Sequence, residues 1–387
     1  MTGKKGYTGK NAQERIPRER SIRQERRGRR RADEGIPIYT ETSHHKASIK
    51  VGLQGVVRLS LMNRLSCPLV LLPFVGCLPF SYPCVPSIAI YLMTNRPTRM
   101  PEPLVALETT VLSHGLPFPA NRDLALALEE IVRSRGAMPR TIGIVDGAVR
   151  TQCSAADLER FCTETPIDKV SLRNLPVVLA RGRTGATTVA ATIRLAHNHG
   201  IRVMATGGIG GVHQDANGAP SSDESADLTE LARCPVTVVC AGPKAILHLE
   251  ATRERLETLG VTVVGWQTDT LPAFYCGEST HPVDVRCDTI EEVADIVRAR
   301  DAHRLPAAIL LTVPLAPEAA LPFEQVSGIV KDALHSEAAR SLAPPQVTPF
   351  LLATVRTVLG DKAVTANVDL LKQNADIAAR LAVALQT

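Results

Sequence analysis

The chain has 387 residues, 44% of them hydrophobic and 21% charged, which supports a large folded core and excludes a wholly disordered, collagen-like or multi-span membrane protein. Aromatic residues are only 3%, too few for the stacking platforms that hold single-stranded nucleic acid. The net charge of +5 divides unevenly, with about +12 on residues 1–99 and −7 on the rest, so no nucleic-acid partner is expected for the acidic body.

The nine cysteines are odd in number and none has C-x-x-C spacing. That pattern predicts neither a zinc knuckle nor a disulfide framework, and a reducing compartment is the simplest reading. Residues 1–35 are Arg-rich, but Glu14, Glu19, Glu25, Asp33 and Glu34 are interspersed, which weakens a transit-peptide reading and favours a solvated tail. Residues 65–95 carry no charge and are long enough to span a bilayer. Pro68, Pro73, Pro79, Pro83 and Pro86 lie within them and would break a spanning helix. Residues 1–99 therefore read as a basic and apolar extension of low order, and translation starting near Met93 or Met100 is the expectation. Residues 100–387 read as one compact domain.

From residue 103 the pattern changes. Leu104–Leu107 is a predicted strand. Asn121 is a candidate cap for a helix carrying Leu124, Leu128, Ile131 and Val132 and ending near Gly136. Thr141–Val145 is a strand, and Asp146-Gly147 turns it back into 148–150. A helix is expected over 186–197, closed by Gly200, then a strand over 201–205 and another over 236–240. A helix over 244–259 stops at Gly260, followed by strands at 261–265 and 307–313. Thr348 with Pro349 starts a helix that Gly360 ends, and 364–385 forms a terminal helix. Alternating strands and helices predict an α/β fold, and the hairpin predicts a mixed sheet.

Ligands in such folds bind beyond the carboxyl ends of the strands, and five segments fall there. Glu108, within Ala106–Gly115, ends an apolar strand; desolvation would raise its pKa and suit a general acid, unless it is simply salt-bridged. Gly185–Thr192 has small residues at a helix start, fit either for phosphate or for tight packing. Thr206-Gly207-Gly208-Ile209-Gly210-Gly211-Val212-His213 is neither G-x-G-x-x-G nor a P-loop; its glycines suggest close backbone approach to a ligand. Ser221–Asp227 groups carboxylates and hydroxyls that suit a hard divalent ion, a solvated loop or a helix cap. Lys244 follows a buried strand at an expected helix N-terminus, where the dipole would lower its pKa and favour an amine nucleophile; phosphate binding is the other reading.

Taken together and in this order, these segments resemble the pseudouridine-5′-phosphate glycosidase family, also called indigoidine synthase A-like, from about Val105 to Ala375. The matching stretches include Leu271–Phe274 and Thr348–Ala353. The resemblance implies a homotrimer of three-layer α/β/α subunits that cleaves pseudouridine 5′-phosphate to uracil and ribose 5-phosphate with a divalent metal, typically Mn²⁺. Carried over, Lys244 would be the nucleophile, Glu108 the proton donor and Asp223 the metal ligand, with Asp215 as its alternative. Lys169, Val189, Ser225, Ala226 and Asp227 would bind substrate, and His213 and Asn367 would lie near uracil. The sequence departs from the family pattern at Thr109, Thr184, Pro243 and Val313. A separate pseudouridine kinase would supply the substrate, in the cytoplasm or in mitochondria.

Overall fold

The computed structural model describes residues 47–51, 57–61 and, apart from 216, 278 and 343, residues 102–387. The Arg-rich segment and the uncharged stretch at 65–95 lie outside the described residues. The chain divides into two compact units at residues 91 and 92. In the first, β1 (Ala47–Val51) and β2 (Val57–Leu61) form an antiparallel pair.

The second unit is built on a ten-stranded sheet. Its strands are β3 (Leu104–Glu108), β4 (Met138–Val145), β5 (Ala148–Arg150), β6 (Asp168–Val170), β7 (Gly185–Thr187) and β8 (Val203–Ala205), then β11 (Thr237–Cys240), β12 (Thr262–Trp266), β13 (Val285–Cys287) and β14 (Ile309–Thr312). Between them, β9 (Val212–Gln214) and β10 (Pro220–Glu224) form a separate antiparallel hairpin. The spatial order is β13-β12-β14-β11-β8-β3-β4-β7-β6, with β5 also on β4. From β13 to β4 every pairing is parallel, while β5 and β7 run antiparallel to β4. The sheet is therefore mixed, as the Asp146-Gly147 turn requires: both residues have positive φ, 50° and 73°.

Period-two alternation sorts the strand side chains into two layers. Val105, Leu107, Val203, Ala205, Val239 and Leu311 face one core, shared with α1 (Ala120–Ser134), α7 (Ile290–Ala302), α8 (Phe323–His335), α10 (Pro344–Leu359) and α11 (Asp361–Ala384). Ala106, Met204, Val238, Cys240 and Leu310 face the other, shared with α3 (Leu175–Ala180), α4 (Val189–Asn198), α5 (Ala226–Arg233) and α6 (Leu249–Thr258). A smaller core under α2 (Ala155–Thr163) holds Leu158 and Phe161 against Val145 and Ala186. The short helix α9 spans Glu337–Arg340. The result is a three-layer α/β/α domain with the strand core nearly dry on both faces. Among the described residues, no helix is long and apolar enough to cross a membrane.

Several expected boundaries move: α10 begins at Pro344 rather than at Thr348, and α11 at Asp361 rather than at 364. Asn121 does not cap α1; it lies inside the helix, buried, and its amide donates to the Leu112 and Cys162 carbonyls at 2.8 and 3.2 Å. The helix expected over 186–197 splits, because Gly185 and Ala186 pair with β4 and the Thr188 side chain caps α4 instead. The helix expected from Lys244 begins only at Leu249, with His248 as its cap.

Candidate active site

In chain order the sheet grows from β3 to β4 on one side, then returns to place β8 on the other side of β3. The crevice at such a reversal is where open α/β sheets bind ligands. Glu108 ends β3, Thr206 follows β8, and Lys244 lies just past β11, the next strand along.

Lys244 is held by a short ladder rather than by a helix start. The Ala241 amide donates to Gly207 O at 2.8 Å, the Ile209 amide to Gly242 O at 3.1 Å, and the Lys244 amide to Ile209 O at 3.0 Å. Pro243 sits where this ladder asks for no N–H, so the departure there costs no hydrogen bond. Gly242 has φ +83°, and a Cβ on it would lie 1.9 Å from Pro272 O, so no other residue fits. With α6 starting five residues later, its dipole does not act on Lys244.

The Thr206 hydroxyl donates to Glu108 Oε1. Burial is the main influence on Glu108 and raises its pKa; Lys244, the Thr206 hydrogen bond and Lys169 pull in the opposite direction without reversing it. With Oε1 occupied, the second oxygen is free to carry the proton. Asn374 of α11, itself buried, donates to the Thr206 carbonyl at 2.8 Å and so fixes the backbone that orients this hydroxyl.

Glu108, Lys169, Lys244 and Asn367 line one cavity of about 350 Å³. Gly207 and Gly208 of the glycine loop share its wall. His114 lies in a π-helical turn at Val111–Gly115, a backbone form common at functional sites. Burial and the Lys169 ammonium hold the His114 pKa below the usual imidazole range. Burial likewise lowers the pKa of Lys169, with the Lys244 charge adding to it. Phe274, Tyr275, Leu352, Arg356 and Val364 complete the wall. Burial pushes the Tyr275 phenol up to about 12, against a weaker pull from Arg356. The only advance signal for His114 was its place in the Ala106–Gly115 segment, and Arg356 gave none.

The other expected residues, Val189, His213, Asp223 and Ser225 to Asp227, are not on the wall of this cavity. Asp227 is buried and uses both oxygens on backbone amides, accepting from Ala190 and Gly210, each at 2.8 Å. It thereby ties the start of α4 to the glycine loop, with Val189 buried as the first residue of that helix. Ser225 caps α5 by accepting from the Asp227 amide, and Ala226 is its exposed first residue. Three loop glycines are explained by packing: a Cβ would come within 2.5 Å of Phe274 at Gly208, 2.2 Å of Ser225 at Gly210 and 2.4 Å of Thr252 at Gly211. Thr109, in place of the usual Ser, keeps its hydroxyl in a buried chain with Thr187 and the Ile142 carbonyl. Thr184 belongs to a surface cluster with Asp146 and Arg160. Val313 is buried in the core.

His213 and Asp223 face each other across the β9–β10 hairpin, 4.0 Å apart. Burial lowers the His213 pKa, and Lys244 adds to that effect while Asp223 opposes it. Asp215, the alternative, accepts from the Asn217 and Ala219 amides through its Oδ1 within the hairpin turn. Among the described residues no group of three or more His, Cys, Asp or Glu could hold a metal. One exposed carboxylate fits a hard ion that keeps most of its waters, as Mg²⁺ commonly does. It does not fit a closed zinc-type cage. Six described cysteines are free thiols; burial pushes Cys153, Cys234, Cys240 and Cys276 up to about 12, so they are poor nucleophiles.

A family model described as "Indigoidine synthase A like protein" matches residues 95–384. The chain belongs to this family. Among curated relatives, the pseudouridine-5′-phosphate glycosidase of Symbiobacterium thermophilum is 47% identical over 286 residues, 73% of this chain and 93% of that one. The enzyme of the same name from Thermus thermophilus is 48% identical, covering 74% and 99%. The crystal structure of an indigoidine synthase A-like protein from Thermotoga maritima superposes with a TM-score of 0.68 at 34% identity, over 74% of this chain and 94% of that one. The prealnumycin C-glycosynthase AlnA, solved in complex with ribulose 5-phosphate, gives 0.68 at 35% identity, over 73% and 92%. The indigoidine synthase A-like fold and its enzymatic character thus extend to this chain.

Proposed function

We propose that this protein is a pseudouridine-5′-phosphate glycosidase, cleaving its substrate to uracil and ribose 5-phosphate. The observation that carries this is the meeting of Lys244 and a Glu108 whose pKa burial raises, at the reversal point of the sheet and in one cavity. The relatives' names supply the substrate.

The bond to be broken joins uracil C5 to ribose C1′. A carbon leaving group has no lone pair to protonate, so the usual pair of carboxylates fits poorly. The amine of Lys244 instead attacks C1′ as the C1′–O4′ bond breaks and the ribose ring opens. The resulting adduct can place the C5–C1′ electrons on uracil as the lysine nitrogen forms an imine with C1′. Glu108 delivers its proton to C5, and uracil departs. Water then hydrolyses the imine, restoring Lys244 and releasing ribose 5-phosphate; every step is reversible. Lys169 and Arg356 bring positive charge to the cavity that suits a phosphate dianion, and Asn367 offers an amide for the edge of uracil. Asp227, with Ser225 and Ala226 beside it, acts here by fixing the loops around Val189.

A divalent ion such as Mn²⁺ would be held by Asp223 with His213 beside it, and would supply positive charge for the phosphate. Homotrimeric assembly, a cytoplasmic or mitochondrial location, and a separate kinase that phosphorylates the nucleoside complete this reading. A second reading keeps the lysine chemistry but joins or cleaves another carbon-linked sugar phosphate. The C-glycosynthase relative favours it, as does the apolar wall of Val111, Leu116, Phe274, Leu352 and Val364. The test is uracil release from pseudouridine 5′-phosphate by the full chain with Mn²⁺, beside larger aromatic C-nucleotides. Uracil as the preferred product supports the first reading; turnover of only the larger aglycones supports the second.

A further inference from the structure

The cavity has two walls of different origin. One comes from the strand ends and carries Glu108, Lys169 and Lys244; the other comes from α10 and α11, far along the chain. Helix α10 reads PPQVTPFLLATVRTVL, and Arg356 is its single charged residue. Leu352, Ala353 and Arg356 all line the cavity. Their spacing of three and four residues places them on one face of the helix. An otherwise uncharged helix therefore brings one guanidinium to the cavity.

Arg356 makes no ion pair with any described residue, although many arginines of this domain do, including Arg133 with Glu129, Arg194 with Glu230 and Arg253 with Asp284. Its noted neighbour is the phenol of Tyr275, a buried ring packed 4.4 Å from Phe274. A phenol does not neutralise a guanidinium at neutral pH. A solvated arginine could equally be idle, but this one stands where an anionic substrate must come. A guanidinium presents a planar fork of donors that matches two phosphate oxygens at once, which a lysine ammonium does not.

We propose that Arg356 is a specificity-determining residue that grips the phosphate of the substrate from the helical wall, opposite Lys169 on the strand wall, and so selects phosphorylated over unphosphorylated sugars. This rests on the phosphate substrate of the proposed function but not on the lysine chemistry. It makes α10 part of the binding site, so that the anion bridges two layers of the fold.

The experiment is calorimetric titration of the full chain with ribose 5-phosphate and, separately, with ribose. It compares the wild type with Arg356→Ala and Arg356→Lys, with thermal melts as the check on folding. The expected result is ribose 5-phosphate binding at least about tenfold weaker in Arg356→Ala, or about 1.4 kcal/mol, and partly restored in Arg356→Lys. The preference for the phosphorylated sugar should shrink, as should the salt dependence of binding. Unchanged affinity in folded Arg356→Ala would overturn the proposal, as would an equal loss for ribose and its phosphate, or no binding to the wild type. Ribose 5-phosphate binding that needs Arg356, in a protein that releases no uracil, would leave this inference standing while the proposed function fell.

Discussion

Two places in this domain set a carboxyl beside a threonine hydroxyl and cationic side chains. In the cavity, Glu108 accepts from the Thr206 hydroxyl and faces the Lys244 and Lys169 ammonium groups. On the surface, Asp146 accepts from the Thr184 hydroxyl at 3.2 Å and from Arg160 at 2.9 and 3.0 Å. Yet the Glu108 pKa is raised and the Asp146 pKa is lowered. Burial and the kind of partner decide between them together. At the hairpin the direct Arg160 hydrogen bonds outweigh the desolvation of Asp146. At the strand end desolvation outweighs two cations and a hydroxyl. The fold thus makes a proton donor from one carboxyl and an ordinary ion pair from the other.

The largest effect expected from breaking this contrast is at Lys244. Lys244→Ala removes the amine that captures C1′, and uracil release should fall to the level of protein-free controls. Free alkylamines that partly restore release would confirm that the amine itself is what was lost. Glu108→Gln keeps shape but not the proton, and kcat should drop about 10²–10⁴-fold. The same variant carries a stability signature. A carboxyl whose folded pKa is raised favours folding while protonated, and that contribution is lost as pH rises through the folded pKa. Glu108→Gln should therefore melt higher than the wild type at pH 8, with the advantage vanishing at pH 4. A lower Tm at pH 8 would mean the carboxylate is well solvated and the contrast is wrong.

Thr206→Val sharpens the comparison at smaller cost. It removes a hydrogen bond that lowers the Glu108 pKa, so the pKa should rise further. Because the protonated acid is the active form, the alkaline limb of the kcat profile should move to higher pH. Orientation should also suffer, with Thr206→Ser restoring both. A limb that stays put or moves to lower pH would break the link between Thr206 and Glu108. The smallest effect belongs to the surface: Asp146→Asn should leave kcat and KM unchanged and shift Tm by no more than the scatter of a melt, because exposed ion pairs contribute little.

Much of this was legible where local chemistry decides. Apolar runs at 104–107, 236–240 and 307–313 became buried strands, and Glu108 could be read as a desolvated acid from its place at a strand end. Reading failed where distant segments meet. The pattern after Cys240 suits a helix, but backbone bonds to a loop some thirty residues earlier hold Lys244 out of one. Of the glycines from 207 to 211, read as shaped for a ligand, Gly207 and Gly208 line the cavity, while Phe274, Ser225 and Thr252 press Gly208, Gly210 and Gly211 from the protein side. Asp227 also holds the Ala190 and Gly210 amides, a tie between distant segments that no local pattern announces. Arg356 reaches the site only because α10 folds across the ends of strands that precede it by more than a hundred residues, and no local pattern carries that information.

The most direct test of the central claim is borohydride trapping. The full chain is incubated with pseudouridine 5′-phosphate and Mn²⁺, reduced, digested and mapped by mass spectrometry. The account predicts a ribose-phosphate adduct on Lys244 that is absent from Lys244→Ala. Uracil release with no adduct on any lysine, or an adduct on Lys169 instead, would contradict it.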